Sequence, residues 1–404
     1  MNNRPTRSTR GHSGNTVPNS PAGAQPILRW TENQEARTAR WLSESAAPPV
    51  KRVTVIGDET PADEAYGLAC QGTALLWRGD FQNARQMLRA LAHRADRRSR
   101  KHKNVRASPT SAADAFHRYR QAQSQRARTL NALLVPLEEN YVIPLRRAPD
   151  VRQACLEAWG PSVEPAVTSL RGLLGVIGAY EWRTKGIAIE AVGGRIHPDY
   201  GVFAPIRSEY VDLVAAAALP TACASSSVAF DIGTGTGVLA AVLARRGIQR
   251  VIATDLDPRA VACARANLER HGLLRQVEVV EADLFPQGRA ALVVCNPPWV
   301  PARPSSPLER GIYDLESSML RGFVNGLPAH LEAGGEGWLI LSDLAEHLAL
   351  RTREELLAIF DAAGLQVLGK SAVRPKHPRV SEITDPLHAA RAAEVTALWR
   401  LAVR

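Results

Sequence analysis

The segment that most constrains the fold is an apolar strand that runs directly into three closely spaced glycines. It reads V-A-F-D-I-G-T-G-T-G-V-L-A over residues 228–240 and contains Gly233, Gly235 and Gly237. Glycine lets the backbone turn tightly and lets a ligand approach where a Cβ would collide. In doubly wound sheets, ligands bind at the carboxyl ends of the strands, where such a loop lies. The segment therefore predicts an open α/β sheet with a ligand at this loop.

Apolar runs and amphipathic segments alternate from residue 228 onward. Near-continuous apolar strands that alternate with helices are typical of a mainly parallel sheet covered on both faces. The predicted strands are Val228–Ile232, Val251–Thr254, Val277–Glu281, Ala291–Cys295, Gly337–Ser342, Gln366–Ser371 and Val395–Ala402. The predicted helices are Val238–Arg246, Pro258–His271, Leu320–Leu331 and Thr352–Ala363.

Three carboxylates accompany the first strands of this region. Asp231 precedes the first glycine, Asp255 ends the second strand and Asp283 follows the third. A dinucleotide fold favours G-x-G-x-x-G, but the sixth position here is Val238, and Asp231 would repel a pyrophosphate. A carboxylate there suits a cationic ligand with an amino group, and Asp255 can accept hydrogen bonds from two ribose hydroxyls. Asp283 can accept from an adenine amino group or be an ordinary turn residue, and Asp257 before a proline predicts a helix N-cap.

The combination of D-x-G-x-G-x-G with an acid after each of the next two strands resembles class I S-adenosylmethionine-dependent methyltransferases over about residues 187–404. The resemblance implies a Rossmann-like, mainly parallel sheet of seven strands, the last one antiparallel, and S-adenosylmethionine as cofactor. The cofactor-binding residues that it implies are Asp231, Gly233, Gly235 and Gly237 at the methionine end, Asp255 at the ribose, Asp283 at the adenine, and the neighbouring Leu256 and Leu284.

A second motif follows the fourth strand, which reads A-L-V-V-C-N-P-P-W and ends in Asn296, Pro297, Pro298 and Trp299. Two prolines fix φ twice and remove two backbone donors, so the chain leaves the sheet rigidly. The Asn296 side chain and the Pro297 carbonyl can both accept hydrogen bonds from one –NH2 group, while Trp299 offers a flat stacking face. These groups orient a planar, weakly nucleophilic nitrogen without a strong base. The alternative is that these residues form only a turn. Because the motif follows the fourth strand of a methyltransferase-like sheet, we favour a catalytic role for all four residues.

The Asn-Pro-Pro-aromatic signature resembles that of amino-methyltransferases acting on adenine N6, guanine N2 or glutamine N5. Trp299 stands where Tyr or Phe is commoner, which keeps the stacking and loses a hydroxyl contact. Upstream, Y-G-V-F-A-P-I-R-S-E-Y over residues 200–210 resembles a segment of the release-factor glutamine methyltransferases and of the methyltransferase small domain rRNA enzymes. That resemblance implies that Arg207 and Glu209 help to close the cofactor site. An ordinary surface ion pair is an equally open interpretation.

The charge is concentrated in the N-terminal part of the chain. Residues 1–150 contain 24 basic and 13 acidic residues, whereas residues 151–404 contain 26 and 27. The run at 93–106 has seven Lys/Arg and one Asp, which indicates either phosphate contact or a solvated linker. Apolar spacing of three to four residues predicts helices before residue 185, most clearly Ala62–Leu75, Phe81–Ala95, Ala112–Leu134, Val151–Trp159 and Thr168–Trp182. We expect four parts: a disordered tail (1–28), a basic helical substrate-recognition domain (29–185), a β-hairpin and linker (186–227) and the α/β domain (228–404).

Five scattered cysteines without a C-x-x-C pair predict reduced thiols and no zinc or other metal site. The first 28 residues lack the apolar core of a signal peptide, and no run of 18 apolar residues occurs. We therefore expect a cytoplasmic protein that does not engage a membrane.

The leading hypothesis is methyl transfer from S-adenosylmethionine to an exocyclic amino nitrogen of a nucleic acid, adenine N6 or guanine N2, in rRNA, tRNA or DNA with RNA favoured. It rests on the Asn-Pro-Pro-Trp motif and the basic N-terminal part, which can hold phosphates. The alternative acceptor is the glutamine N5 of a translation factor. A non-catalytic nucleotide-binding scaffold and a dehydrogenase are weaker readings. The sequence predicts in-line transfer without a covalent intermediate or metal and leaves the oligomeric state open.

Overall fold

The structure of the protein is a computed structural model. The structure describes residues 26–43, 47–103, 108–304, 308–375 and 385–404. The expected disordered tail therefore lies, up to residue 25, outside the described residues, while a strand already begins at Ile27.

The N-terminal part contains a mixed sheet of six strands packed with helices. Its strands are β1 (Ile27–Glu32), β2 (Glu35–Leu42), β3 (Val53–Ile56), β4 (Ala74–Trp77), β5 (Leu133–Leu137) and β6 (Ala166–Ser169). Its helices are α1 (Ala62–Cys70), α2 (Phe81–Lys103), α3 (Ala112–Asn131), α4 (Arg152–Trp159) and α5 (Leu170–Lys185). The strand order in the sheet is β1-β2-β6-β5-β4-β3, with β3, β4 and β5 parallel to one another.

The expectation of a purely helical domain over residues 29–185 is therefore wrong. The central strands β4 and β5 are short runs in which every residue is buried, so they lack the alternation that marks a half-exposed strand. Each follows a helix within a few residues, and the predicted helices Ala62–Leu75 and Ala112–Leu134 had absorbed their first residues. The outer hairpin β1–β2 is exposed on one face, and its short apolar face consists of Leu28 and Trp30 on β1 and Ala39 and Trp41 on β2.

The C-terminal part is a mainly parallel sheet of seven described strands, which confirms the predicted Rossmann-like class. Its strands are β9 (Val228–Ile232), β10 (Arg250–Asp255), β11 (Val277–Glu281), β12 (Ala290–Cys295), β13 (Leu331–Ser342), β14 (Leu365–Val373) and β15 (Thr396–Val403). Their order is β11-β10-β9-β12-β13-β15-β14, and β15 runs antiparallel to both of its neighbours.

Two layers of helices cover this sheet, since its inner strands are buried on both faces. The helices are α7 (Val238–Arg245), α8 (Pro258–Arg270), α9 (Ser318–His330), α10 (Leu344–His347), α11 (Arg353–Ala362) and α12 (His388–Ala393). One apolar core contains α7 and one face of α8, and the other contains α9 and α11. In β12 all six residues are buried, as expected for a central parallel strand.

A two-stranded hairpin of β7 (Ile187–Ile189) and β8 (Gly194–Ile196) lies between the two sheets in the chain, where the sequence predicted one. Helix α6 (Glu209–Ala216) follows it, so the predicted linker is partly helical. Among the described residues, no helix combines the length and apolar character needed to cross a bilayer.

The basic run at 93–106 lies mostly on the C-terminal half of α2, and residues 104–107 fall outside the described part. Arg94 bonds Asp63 on α1 at 2.7 Å, and Arg98 contacts the Cys70 thiol at 3.5 Å. At least these two side chains therefore contact α1 of the same domain.

Candidate active site

Three loops meet at the carboxyl edge of the C-terminal sheet. The register pairs Ile232 with Thr254 on one side and with Cys295 on the other. The glycine loop, Asp255 and Asn296 each follow one of these residues, so all three leave the sheet at the same level. The structure thus brings the two sequence motifs together in one place.

Asp231 lies beneath the glycine loop and is only 1% exposed. Its Oδ2 accepts hydrogen bonds from the Thr234 hydroxyl at 2.6 Å and from the Ala240 backbone N–H at 3.0 Å. Ala240 lies in the first turn of α7, where the helix dipole favours a negative charge. Burial raises the pKa of Asp231 to about 6, so the carboxylate is largely ionised at neutral pH. Its described bonds fix the loop, and contact with the methionine end of a cofactor stays a prediction.

Asp255 connects the loops that follow β9 and β10. Its Oδ2 accepts from the Gly235 backbone N–H at 2.9 Å, and its Oδ1 accepts from the Asp257 backbone N–H at 3.0 Å. Burial raises the pKa of Asp255 against the opposing effect of these two bonds. Asp257 is the N-cap of α8, with Pro258 at the first helical position, as the sequence indicated.

Asp283 is exposed, and Leu284 next to it has a left-handed backbone with φ of 64°. The Leu284 carbonyl accepts from the buried Thr254 hydroxyl, and its side chain lies against Gly322 on α9. Leu256 is 66% exposed at the same edge of the sheet. These residues form the side of the site at which the resemblance places the adenine.

The three glycines differ in what surrounds them. A Cβ on Gly235 (φ 55°) would meet no atom within 4 Å, whereas a Cβ on Gly233 would lie 2.4 Å from the Met319 Cε. A Cβ on Gly237 (φ 80°) would lie 3.2 Å from the Cα of Ala264 on α8. Open space at Gly235, the adjacent Asp255 carboxylate and the exposed Leu256 fit an adenosyl ligand that carries a positive charge. The residues present thus fit S-adenosylmethionine.

The Asn-Pro-Pro-Trp motif is more constrained than the sequence suggested. The Trp299 indole Nε1–H donates to the Asn296 Oδ1 at 2.8 Å. An amide oxygen has two lone pairs, so Asn296 retains capacity for one further hydrogen bond. Trp299 therefore lacks the hydroxyl that a tyrosine would offer, but its indole N–H orients the Asn296 side chain.

The Arg207 guanidinium lies over one face of the Trp299 ring and also forms hydrogen bonds with residues that are distant in the chain. Its guanidinium carbon lies 4.8 Å from the Trp299 ring centre. Its nitrogens donate to Glu209 at 2.7 Å, Glu394 at 3.0 Å and Thr396 at 3.2 Å. Glu394 is buried and also accepts from the Ser342 hydroxyl at 2.6 Å. Arg207 and Glu209 are therefore part of a half-buried network, not an isolated surface pair.

Several residues around the site were not found from the sequence. The Met319 side chain contacts the glycine loop. The Asp314 carboxylate accepts a hydrogen bond from the Met319 backbone N–H, in the first turn of α9, at 2.9 Å. Arg351 is 5% exposed, and its Nε and Nη2 have no hydrogen-bond partner in the part of the chain that the structure describes. An acid and serines ahead of an apolar helix are a detectable capping signal. No local pattern marks Met319 or Arg351.

The comparisons with known proteins agree with this geometry. Residues 193–360 match the family model described as Methyltransferase small domain. The chain is 49% identical over 69 residues to a ribosomal protein L11 methyltransferase of Pelotomaculum thermopropionicum, covering 17% of this chain and 22% of that protein. It is 31% identical over 154 residues to a release factor glutamine methyltransferase of Geobacter sulfurreducens, covering 34% and 51%.

A release factor glutamine methyltransferase of Cereibacter sphaeroides is 34% identical over 120 residues, covering 26% of this chain and 43% of that protein. The chain thus spans about half or less of the length of these relatives. The strand order and the position of the glycine loop give this part of the chain the fold of the class I methyltransferases. More particularly, residues 193–360 are similar to the methyltransferase small domain.

Alanine at two of the glycines separates ligand approach from packing. Gly235→Ala should cost about 1 kcal/mol of unfolding free energy, from its left-handed backbone alone, and weaken S-adenosylhomocysteine binding about tenfold or more. Gly237→Ala should cost about 2–3 kcal/mol, since the new Cβ also presses on the α8 backbone. Urea unfolding and titration calorimetry measure both quantities. Equal stability losses in the two variants would contradict the described packing.

The stability contributed by Asp231 should depend on pH. Its folded pKa of about 6 lies above the ordinary value of 3.8, so protonation stabilises the fold at low pH, and that stability is lost as pH rises towards 6 and above. Relative to Asp231→Asn, the native protein should lose about 2 kcal/mol of unfolding free energy between pH 4.5 and 7.5. Parallel denaturant unfolding of the two proteins at both pH values measures this. If the native protein and Asp231→Asn differed in unfolding free energy by the same amount at both pH values, the prediction would be refuted.

Proposed function

We propose that the protein is an S-adenosylmethionine-dependent N-methyltransferase whose acceptor is the side-chain amide of a glutamine in a protein. The observation that carries the proposal is the position of Asn296–Trp299 beside the glycine loop, at the same level of the sheet. Methyl donor and acceptor nitrogen can then meet above the ends of β9 and β12. The named relatives, which are called L11 and release factor methyltransferases, support a protein acceptor.

In the proposed reaction the cofactor would supply an electrophilic methyl group and leave as S-adenosylhomocysteine, and the proton displaced from the acceptor nitrogen would pass to water. Asn296 Oδ1 and the Pro297 carbonyl accept hydrogen bonds from the two N–H groups of the acceptor amide. These two bonds fix the plane of the amide. An amide nitrogen is a poor nucleophile because its lone pair is delocalised into the carbonyl. Orientation by two acceptors therefore contributes more than proton removal before transfer. The indole N–H of Trp299 holds the Asn296 oxygen in place, and Arg207 holds the indole.

Part of the basic surface of the N-terminal part is engaged within the same domain. Many of its arginines are engaged by neighbouring acids of the same domain. Such pairs are Arg78–Glu32, Arg94–Asp63, Arg118–Asp114, Arg126–Asp96, Arg146–Asp58 and Arg147–Asp80. An arginine bound to a carboxylate is less available to a phosphate. These six arginines are therefore less available to a nucleic acid, whereas the net positive charge of residues 1–150 is unchanged by such pairing.

The segments that flank Trp299 expose apolar side chains. Ile206 precedes Arg207 and is 53% exposed, and Ile312 and Leu315 follow the motif and are 42% and 44% exposed. Exposed apolar side chains near a site favour contact with a polypeptide, because apolar area removed from water drives protein association.

The acceptor is tested by incubating the purified protein with radiolabelled S-adenosylmethionine and a fraction of ribosomes and translation factors. Label should appear in material that survives ribonuclease and is lost on protease digestion, and peptide mass spectrometry should locate it on glutamine. Label confined to RNA would favour the nucleic-acid acceptor and refute the protein one. Failure of the unmutated protein to bind S-adenosylhomocysteine in calorimetry would favour the non-catalytic scaffold.

Two substitutions in the Asn-Pro-Pro-Trp motif should lower kcat by different amounts. Asn296→Ala removes an acceptor for the substrate amide, and kcat should fall about 100- to 1,000-fold. Trp299→Phe keeps a ring but removes the hydrogen bond that orients Asn296, and kcat should fall about tenfold. Steady-state kinetics with the identified acceptor measures both, and S-adenosylhomocysteine affinity should stay within about threefold of the native value. Parallel losses of kcat and cofactor affinity would contradict these roles.

A further inference from the structure

Helix α3 of the N-terminal domain lies against the segment that follows Trp299. We call the described residues 300–304 and 308–313 the acceptor loop. Arg120 on α3 donates to both carboxylate oxygens of Glu309, at 3.2 and 3.1 Å, and to the Arg303 carbonyl at 2.8 Å. Its guanidinium carbon also lies 4.0 Å from the ring centre of Tyr313. One side chain thus contacts the acceptor loop at three positions.

An apolar cluster next to Arg120 joins the same two elements. Phe116, one turn before Arg120 on α3, is buried together with Val300 at the start of the acceptor loop. The ring centres of Phe116 and Tyr313 are 6.5 Å apart. Trp299 packs against this cluster as well. Burial of these groups opposes separation of α3 from the loop, because separation would return apolar area to water.

Further contacts connect the acceptor loop to the Asn-Pro-Pro-Trp motif and to the glycine loop. Val300, which follows Trp299 directly, pairs with Tyr313 in an isolated bridge, and its carbonyl accepts from the Asp314 backbone N–H at 2.9 Å. The Asp314 carboxylate accepts from the Met319 N–H, and the Met319 side chain contacts Gly233. An unbroken series of described contacts therefore runs from α3 to the acceptor motif and to the glycine loop.

We propose that the N-terminal domain forms part of the active site and that Arg120 is a positioning residue, which fixes the acceptor loop and through it the position of Trp299. This inference rests on the proposed function. Arginine suits the task because its planar fork binds a carboxylate at two points while its face stacks on an aromatic ring. The domain thus shapes the site from which the acceptor is methylated, in addition to any recruiting role.

The test compares Arg120→Ala, Arg120→Lys and Arg126→Ala in the full chain. Arg126 lies on the same helix but pairs with Asp96 of α2, so it is a matched control that leaves the acceptor loop untouched. With the acceptor identified above, Arg120→Ala should lower kcat/KM about 10- to 100-fold through loss of loop order. Arg120→Lys, which keeps the charge but not the fork, should lie in between, and Arg126→Ala should match the native protein.

Two further readouts separate positioning from general damage. Hydrogen exchange of the Ile312–Asp314 amides should accelerate about tenfold or more in Arg120→Ala, while S-adenosylhomocysteine affinity should stay within about threefold. Unchanged exchange at these amides, or equal kcat/KM losses in Arg120→Ala and Arg126→Ala, would overturn the inference. Faster exchange in Arg120→Ala, with no transfer by the unmutated protein to any acceptor, would instead overturn the proposed function and leave the loop contact standing.

Discussion

The site depends on the parallel pairing of strand β9 with β10 on one side and β12 on the other. The register sets Asp231 beside Ala253 and Val294, so the chain leaves all three strands within one residue of the same level. A slip of one residue would turn every side chain of a strand to the opposite face. Burial on both faces of the sheet prevents that slip, and this restraint keeps the glycine loop, Asp255 and Asn296 close enough to act on one ligand pair.

The sequence was informative where the structure depends on neighbours along the chain. Strands such as Val228–Ile232 and Val277–Glu281 have the predicted bounds, because the first runs directly into the glycine loop and the second shows the alternation of a half-exposed strand. The N-terminal strands β4 and β5 were missed for the opposite reason. They are four and five residues long and lie close behind helices, so their burial comes from tertiary packing that no local pattern records.

The same division applies to the site. Asp231, the glycines, Asp255 and the Asn-Pro-Pro-Trp motif were found as contiguous patterns, and the structure brings them to one edge. The partners of Arg207 were not found, because Glu394 and Thr396 lie 187 and 189 residues away in the chain. The hydrogen bond from Trp299 to Asn296 was also missed, although only three residues separate them. Its existence depends on the direction in which the loop leaves the sheet, which the residue types do not specify.

The contact between α3 and the acceptor loop bears on how such an enzyme can diverge. The groups predicted to face the cofactor lie on loops of one domain, whereas the support of the acceptor loop comes from another. Substitutions on α3 can therefore reshape the acceptor side while the glycine loop and the Asn-Pro-Pro-Trp motif keep their sequences. Duplicated genes with this architecture could acquire new acceptors through a domain in which no catalytic motif would reveal the change.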